Sequence, residues 1–356
     1  MSYKGAMMTE KDSSVKKRVK QVLFSFDYEL YLGVSSGDVH KTIISPTAIL
    51  LDILKENGFH GIFFIDTIYL CRLKELCASF SKASKDYMDI VAQLNRIVNE
   101  GHQIFPHIHA HWLDAEYKPD TNTWCLMDYS KYSFASLDYE MQEGLFASSI
   151  NILKEIIESD NLVLDGYRAG GWNIQPFSSF YPFFKKYGIK YEFSVIPGKS
   201  LESDSNWYDY RNCCQKHIYR FEDNVCVENR NGDFTEFSIS VLEAPKWISY
   251  WSNKVNVLFF ILKLKFAWPM GNGKTIKLFN SVNQDEFYTG KKRSISSFED
   301  FDLFYTLYQL NIIRNKYYWH FISHHKILSP MNLFFARYFM KQLKKRYTVI
   351  SNFRNF

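Results

Sequence analysis

The chain has 356 residues, of which 46% are apolar and 18% aromatic, and such a composition excludes general disorder. Its formal net charge of +5 is only mildly basic and lies mostly in the clusters at 16–20 and 341–346, so it gives no argument for nucleic-acid binding. At this length, one main domain or a single α/β barrel is favoured over several small domains.

The first twenty residues contain basic side chains but no apolar core of a signal peptide, and we expect residues 1–19 to be a disordered tail. Without an export signal, the cysteines of a chain this long are expected to be reduced thiols in the cytoplasm. This prediction covers all six cysteines: Cys71, Cys77, Cys125, Cys213, Cys214 and Cys226.

The most apolar stretch, 255–268, is interrupted by Lys263 and Lys265. It is shorter than the ~20 residues needed to span a bilayer, so no transmembrane helix is predicted. Together with the apolar-then-basic segment 334–346, the stretch is compatible with a peripheral membrane contact. A buried helix with one solvated face is the favoured interpretation of both segments.

Strand and helix patterns alternate from the first acidic cluster onwards. The run 20–26 is β-prone, and the next segment begins with Ser45 and Pro46 and stops at Gly58, which is typical of a helix. The alternation continues with strands predicted at 60–66, 102–109, 161–171 and 191–196 and with helices at 84–100, capped by Ser84, 137–159 and 179–188. This repetition predicts parallel strands with right-handed crossovers, and hence an α/β fold.

The segment 217–245 departs from this alternation. Its β-prone runs lie on both sides of Asn231 and Gly232, a hairpin signal that predicts an antiparallel insertion or edge. After it we predict a helix at 298–314 and a strand at 317–326, in one domain over 20–356 with an insertion around 200–300.

Several predicted strands end in unusual polar side chains. In a parallel α/β sheet or barrel, the carboxyl ends of the strands converge on one site, so these side chains are expected to meet. They are Asp27 and Glu29, the histidines from His107 to His111, Arg168, and His324 with His325.

The histidine cluster has a spacing that suits a metal ion. His107 and His111 point the same way if they share a helical turn, and a strand would place His107, His109 and His111 on one face. Either geometry brings two imidazoles near one ion, and an acidic ligand such as Asp27 or Glu29 completes a three-ligand site. With an open position, zinc in such a site lowers the pKa of water or polarises a carbonyl group.

The same residues resemble the motifs of the polysaccharide deacetylase family, which is the fourth carbohydrate esterase family. LFSFDYE resembles its first motif, GHQIFPHIHAH the second, GYRAGGW the third and FISHHK the last. The second motif is the most specific. The resemblance implies a distorted (β/α) barrel that removes acetyl groups from N-acetylated sugars with a divalent metal.

Carried over by position, the resemblance assigns the catalytic roles. Asp27 would be the general base, Arg168 would pair with it, and His324 would protonate the departing amine. The predicted metal ligands are Glu29, His107 and His111, and the metal is Zn²⁺, with Co²⁺ or Ni²⁺ as alternatives.

The chain departs from the family pattern at Tyr28, where the family has a metal-binding aspartate. Glu29 is the substitute, as in an Asp-x-Glu subgroup, and the resemblance leaves open which of Asp27 and Glu29 is base and which is ligand. The predicted substrate contacts are Trp172, which could wall the sugar groove, His109 and Tyr28. An acid that tunes His324 is expected at Glu192 or Asp209.

Other functions are weighed against this one. The His-Glu-x-x-His motif of a metalloprotease is absent, because Ile108, His109 and Ala110 separate the histidine pair. The first strand is followed by no glycine-rich nucleotide loop. A hydrolase of a non-sugar amide or cyclic imide, and an inactive carbohydrate-binding relative, remain as alternatives.

The expected substrate is an N-acetylated sugar, nucleotide- or lipid-linked, from surface polysaccharide or lipopolysaccharide synthesis. This expectation follows from the resemblance and from the predicted cytoplasmic location. The sugar, its carrier and the oligomeric state are not given by the sequence.

Overall fold

The computed structural model describes residues 17–159, 161–275 and 291–356. Of the predicted tail, residues 1–16 lie outside this part of the chain. The α-helices are α1 Ser45–Asn57, α2 Thr67–Leu76, α3 Ser81–Asn99, α4 Tyr139–Ile156, α5 Tyr181–Tyr187, α6 Lys246–Ile261, α7 Leu303–Ile313 and α8 Pro330–Arg346.

The strands form one large sheet and several short pairs. They are β1 Val19–Tyr28, β2 Gly33–Ser35, β3 Ile62–Asp66, β4 Gln103–Ile108, β5 Glu116–Lys118, β6 Thr123–Cys125, β7 Gly166–Ala169, β8 Tyr191–Glu192, β9 Ser200–Glu202, β10 Trp207–Asp209, β11 Ile218–Phe221, β12 Phe234–Phe237, β13 Val241–Pro245, β14 Lys274–Thr275, β15 Lys291–Ile295, β16 Tyr318–His324 and β17 Thr348–Ile350.

The large sheet has the order β11-β12-β8-β7-β4-β3-β1-β16, and β17 pairs with the start of β1. All of its neighbouring strands are parallel except β11 and β12. The chain between β12 and β13 joins the two sides of the curled sheet: Ile239 donates its N–H to the carbonyl of Val195, and Ser240 donates to that of His320. The predicted α/β fold of a distorted barrel is confirmed.

The inside of the barrel is filled mainly by aromatic side chains. Phe64, Phe105, Phe193 and Phe237 pack there, and Phe353 covers them from the amino-terminal end of the strands. The larger apolar core lies between the outer face of the sheet and the helices. The interior is therefore packed, and the carboxyl ends of the strands are left for polar groups.

Several element boundaries differ from the prediction. Helix α2 was not predicted, because its cap Asp66 is also the last residue of the apolar strand β3. Helix α3 begins at Ser81, ahead of the predicted cap Ser84, and α7 begins after Asp302, whose side chain accepts the N–H of Tyr305.

The predicted hairpin is present, and of the two alternatives, insertion or edge, it forms the edge. Strands β11 and β12 are antiparallel, with Ile218 opposite Phe237. Strand β12 then pairs in parallel with β8, so the hairpin extends the main sheet and β11 is its edge. Asn231 and Gly232 lie in the long loop between the two strands, where a Cβ on Gly232 would clash with the carbonyl of Phe221.

Two of the cysteines are not free thiols. Cys213 and Cys226 form a disulfide, because the loop that leads into β11 folds back on the turn that follows it. The prediction of reduced thiols is therefore wrong for this pair, while the other four are free. Because this pair is oxidised, the cysteines no longer support a cytoplasmic location, and that location stays a prediction.

Helix α6 is not the buried helix that the sequence favoured. Among its side chains that the structure describes, Ile248 and Ser252 are buried, and most of the others are exposed. No helix in the described ranges combines the length and the apolar character required to cross a bilayer.

Candidate metal and catalytic site

The polar strand ends meet at the carboxyl edge of the barrel, as the sequence predicts. The strand register places Asp27 directly opposite His324 and places His107 between Asp66 and Arg168. Since parallel strands deliver their last residues to one edge, the side chains that point inward at this level face each other.

Asp27 and Arg168 form a buried ion pair. The Nη1 of Arg168 lies 2.5 Å from Oδ1 of Asp27, and both side chains are almost fully buried. Burial alone would raise the pKa of Asp27, but Arg168, His107 and His324 together outweigh burial and lower this pKa. The carboxylate of Asp27 is therefore ionised and fixed in direction.

The guanidinium of Arg168 is itself held from three sides. Its Nε donates to the carbonyl of Phe193 at 3.0 Å, its Nη2 donates to Oγ of Ser25 at 2.8 Å, and its plane lies 4.0 Å from the ring centroid of Phe64. His320 also bonds Ser25, with 2.8 Å between Nε2 and Oγ. His320 thus supports the arginine from below, as a structural histidine.

A second cluster contains Glu29, His107 and His109. The Nε2 atoms of the two histidines are 3.1 Å apart, and Oε2 of Glu29 lies 2.8 Å from His109 and 4.0 Å from His107. A tetrahedral zinc ion with bonds near 2.0 Å separates its ligand atoms by about 3.3 Å. One carboxylate and two imidazoles are a donor set that zinc accepts, so the residues fit the predicted ion.

The protonation of His107 and Glu29 suits a metal, whereas the carboxylate of Glu29 raises the pKa of His109. Burial lowers the pKa of His107 to about 4, so its imidazole is neutral, and its Nδ1 donates to the carbonyl of Arg168 at 2.9 Å. This bond leaves the lone pair of His107 on Nε2, the atom that faces Nε2 of His109. Burial opposes ionisation of Glu29, but Lys326 and His109 lower its pKa well below the ordinary range.

His111 lies beside this cluster and not in it. Its ring centroid is 5.3 Å from that of His109, the side chain is fully buried, and neither ring nitrogen has a hydrogen-bond partner in the described part of the chain. Leaving a buried imidazole without a hydrogen-bond partner costs free energy. This cost indicates that a group other than a protein side chain bonds the ring of His111. The predicted pair of His107 and His111 is therefore not the pair with converging nitrogens.

The short helical turn that carries His111 is fixed by Asp66. The indole Nε1 of Trp112 donates to Oδ2 of Asp66, and the other carboxylate oxygen caps α2. Burial raises the pKa of Asp66 to about 7. This carboxyl group positions the histidine turn, a role that the sequence did not reveal.

His324 faces both carboxylates at the end of β1. Its Nε2 lies 3.4 Å from Oδ2 of Asp27 and 3.6 Å from Oε1 of Glu29. Its Nδ1 is 2.7 Å from Oε1 of Glu299, which also accepts the backbone N–H of His324. Burial opposes protonation, but the nearby carboxylates, Glu299 above all, raise the pKa of His324 to about 9.

Glu299 and Lys326 were missed by the sequence analysis. Glu299 lies in the turn before α7, and Lys326 follows the last strand of the barrel, where its Nζ is 2.8 Å from Oε1 of Glu29. The predicted partners of His324 are wrong: Glu192 bonds Ser194, and Asp209 bonds Arg211. A signal for Lys326 was available, because it ends the FISHHK motif.

The predicted substrate contacts divide into three cases. The ring of Trp172 lies 6.0 Å from that of His324 and is half-buried, and its role as a groove wall stays a prediction. His109 belongs to the carboxylate cluster. Tyr28 does not fit the prediction, because it points to the opposite face of β1, is buried and donates to Oε1 of Gln93 in α3.

The remaining histidines of the motifs have structural contacts. His102 accepts the backbone N–H of Gly61 at 3.0 Å, and the ring of His325 stacks on Phe63. Both are buried within the fold, where these contacts are structural.

The sequence matches no model of a known protein family and no curated protein. Similar solved structures include a candidate polysaccharide deacetylase from Mycobacterium smegmatis, with 15% identity, a TM-score of 0.47 and coverage of 99% of this chain and 92% of that chain. A probable polysaccharide deacetylase from Pseudomonas aeruginosa PAO1 has 11% identity, a TM-score of 0.46 and coverage of 95% and 89%. The Puue allantoinase has 11% identity, a TM-score of 0.44 and coverage of 95% and 89%.

Both deacetylase structures match over nearly the whole of this chain.

Proposed function

We propose that this protein is a divalent-metal-dependent hydrolase that removes the N-acetyl group of a sugar. The observation that carries the proposal is the meeting of three units at one edge of the barrel. These are the Asp27–Arg168 pair, the carboxylate and imidazole cluster, and His324 held by Glu299.

The chain's own groups cover the proton transfers of amide hydrolysis. Asp27, kept ionised by Arg168, takes a proton from the attacking water, and its base role is worth about 10²–10⁴-fold in rate. His324 gives a proton to the amine as the C–N bond breaks. Its Nδ1 is fixed by Glu299, so Nε2 is the nitrogen turned towards the substrate.

The ion would be held by Glu29, His107 and His109, with Zn²⁺ preferred and Co²⁺ or Ni²⁺ as alternatives. A divalent ion at this position supplies Lewis acidity to the acyl oxygen and to water. With Glu29 as ligand, Asp27 is left as the base, and this division of roles agrees with the ion pair of Asp27 to Arg168.

The substrate that we propose is an N-acetylated sugar from surface polysaccharide or lipopolysaccharide synthesis, nucleotide- or lipid-linked. Trp172 beside His324 supports a sugar, since an indole face packs against a sugar ring. The assay also includes a cyclic imide, because hydrolysis of a non-sugar C–N bond needs the same groups.

The test is acetate release by the metal-loaded protein from nucleotide-linked and lipid-linked N-acetyl sugars. Asp27→Asn should lower kcat by about 10²–10⁴-fold. The matched control is Asp165→Asn, because Asp165 pairs with Arg354 at the other end of β7. That variant should keep the wild-type kcat.

Three outcomes decide the proposal. Acetate release that depends on Asp27 and on bound metal supports it. Turnover of the imide alone favours the non-sugar amidase, and sugar binding without any turnover or bound metal identifies an inactive relative.

A further inference from the structure

Helix α6 exposes an apolar stripe. At 100° per residue, its exposed large apolar side chains fall within an arc of about 120°. The stripe consists of Trp247, Tyr250, Trp251, Val257, Leu258 and Ile261, each at least half exposed. On an ordinary protein surface, exposed apolar side chains are scattered singly, whereas on α6 they form one continuous apolar face.

The apolar surface continues beyond the helix. Leu262, Leu264 and Phe266 are also exposed, and the ring of Phe266 lies 6.3 Å from that of Phe334 on α8. On α8, Tyr338 lies one turn after Phe334 and is also exposed. We call this set of side chains, from Trp247 to Tyr338, the α6–α8 surface.

The charge on this surface has one sign. Between residues 246 and 275 there are no acidic residues, and the lysines are Lys246, Lys254, Lys263, Lys265 and Lys274. In the described ranges, Lys254, Lys263 and Lys265 are exposed and form no ion pair with a carboxylate. Tryptophan, tyrosine and leucine flanked by lysine are typical of a helix that lies in the headgroup region of an anionic membrane.

The α6–α8 surface also adjoins the catalytic edge. A cavity of about 510 Å³ lies between Trp268 and Tyr31, and Tyr31 comes two residues after Glu29. The hydroxyl of Tyr31 donates to the carbonyl of Lys326, whose ammonium group bonds Glu29. A bilayer on the α6–α8 surface would therefore lie near Tyr31 and Lys326, which connect this cavity to Glu29.

We infer that the α6–α8 surface binds the face of an anionic lipid bilayer and presents membrane-borne substrate to the site. The lysines contact lipid phosphates and the α6 stripe enters the headgroup region. The substrate class, an N-acetylated sugar on a lipid carrier, rests on the proposed function. The membrane contact does not, because it involves none of the site residues.

The test is flotation of the full-length protein with vesicles, without metal or substrate. Binding to phosphatidylglycerol vesicles is expected, with weak binding to phosphatidylcholine and a loss of binding at high ionic strength. The variant Trp251→Ser/Leu258→Ser/Ile261→Ser should bind about tenfold more weakly or worse. In the variant Lys254→Gln/Lys263→Gln/Lys265→Gln, the affinity for phosphatidylglycerol vesicles should fall about fivefold for each lysine replaced. This variant should bind the two kinds of vesicle equally.

The matched control is Met88→Ser/Val163→Ser/Val227→Ser, which removes equally exposed apolar side chains elsewhere. It should bind vesicles as the wild type does, and so should Asp27→Asn. Because these proteins are compared without catalysis, failure of vesicle binding is distinct from failure of the hydrolase proposal.

The inference is overturned if the wild type binds neither kind of vesicle, or if the triple serine variant binds as well as the control. It is also overturned if light scattering shows that the serine variant converts a dimer into a monomer while vesicles remain unbound. In that case the α6–α8 surface is a contact between two copies of the chain.

Discussion

At the scale of single residues, Glu299 has a role that can be separated from binding. Its Oε1 lies 2.7 Å from Nδ1 of His324 and so fixes the imidazole ring. Glu299 makes no described hydrogen bond or ion pair with a predicted metal ligand. We expect Glu299→Gln to lower kcat about 10–100-fold with little change in KM, because partners that orient a catalytic imidazole have effects of this size. Steady-state kinetics with the metal-loaded protein measure both constants.

The control for this change is Glu222→Gln, which removes a carboxylate of similar exposure that bonds Tyr181. It should leave both constants unaltered. A kcat for Glu299→Gln equal to that of the control would mean that His324 is not oriented by Glu299 during turnover.

The third metal ligand is also a question about single residues. Motif spacing predicts His111, whereas the converging nitrogens belong to His107 and His109. We expect His109→Ala to lose metal affinity at least about 10-fold more than His111→Ala, because a ligand contributes more than a neighbour. Metal analysis after dialysis against a weak chelator measures this difference.

His107→Ala is the positive control, since both assignments use it, and His60→Ala, an exposed histidine bonded to the Gly101 carbonyl, is the negative control. Retention of metal by His109→Ala together with its loss from His111→Ala would restore the assignment from motif spacing.

At the scale of elements, two neighbouring strands bury a pair of carboxyl groups. Glu192 on β8 lies opposite Glu236 on β12, and both are fully buried. Burial, followed by the charge of Glu192, raises the pKa of Glu236 well above its ordinary value of 4.5. Glu236 is therefore held as a neutral acid in the folded protein, where its Oε1 accepts the N–H of Val195.

The sign of the resulting pH dependence follows from proton binding. Above the unfolded pKa the folded state holds a proton that the unfolded state has lost, so stability falls as the pH rises towards the raised folded pKa. As the pH rises above the unfolded pKa, from about pH 5 upwards, we expect the wild type to lose up to about 1.4 kcal/mol of stability per pH unit more than Glu236→Gln. Urea unfolding at several pH values measures the difference.

Glutamine keeps an oxygen for Val195 and cannot ionise, so the variant isolates the charge. Glu228→Gln, at an exposed carboxylate that bonds Lys216, should keep the wild-type slope. Equal slopes for wild type and Glu236→Gln would show that Glu236 ionises in the folded protein without cost.

The elements also show how far the sequence determines the site. The convergence of the polar strand ends was predictable. A charged side chain such as Asp27 or Arg168 at the end of an apolar strand has few places to lie other than the carboxyl edge of the sheet. Helix α2 was not, because Asp66 closes β3 and caps the helix with no loop between them. Glu299 and Lys326 reach the site through the curl of the whole sheet, and no local pattern encodes that curl.

The direction of Tyr28 was predictable in principle. Strand alternation places it on the face opposite Asp27 and Glu29, and its neighbours there are helical side chains. The position of Tyr28 in the first motif predicts a substrate contact, but the alternation of side chains along β1 excludes it.

At the scale of the whole molecule, the two ends of the barrel have separate tasks. The carboxyl ends of the strands carry the polar site, and the amino-terminal end is closed by Phe353, which packs against Phe105, Phe193 and Phe237. Only 2% of Phe353 is exposed. A change at this end should therefore alter stability without altering the chemistry.

We expect Phe353→Ala to destabilise the protein by about 3–5 kcal/mol, because a buried ring is replaced by a cavity inside a packed barrel. Tyr317→Ala, which removes an exposed ring near the same end, should change stability by less than about 0.5 kcal/mol. Denaturant unfolding gives both values, and kcat at low temperature should be the same in both variants and the wild type. If Phe353→Ala lowered kcat while leaving the unfolding free energy unchanged, the two ends of the barrel would be coupled, and the separation of tasks would be wrong.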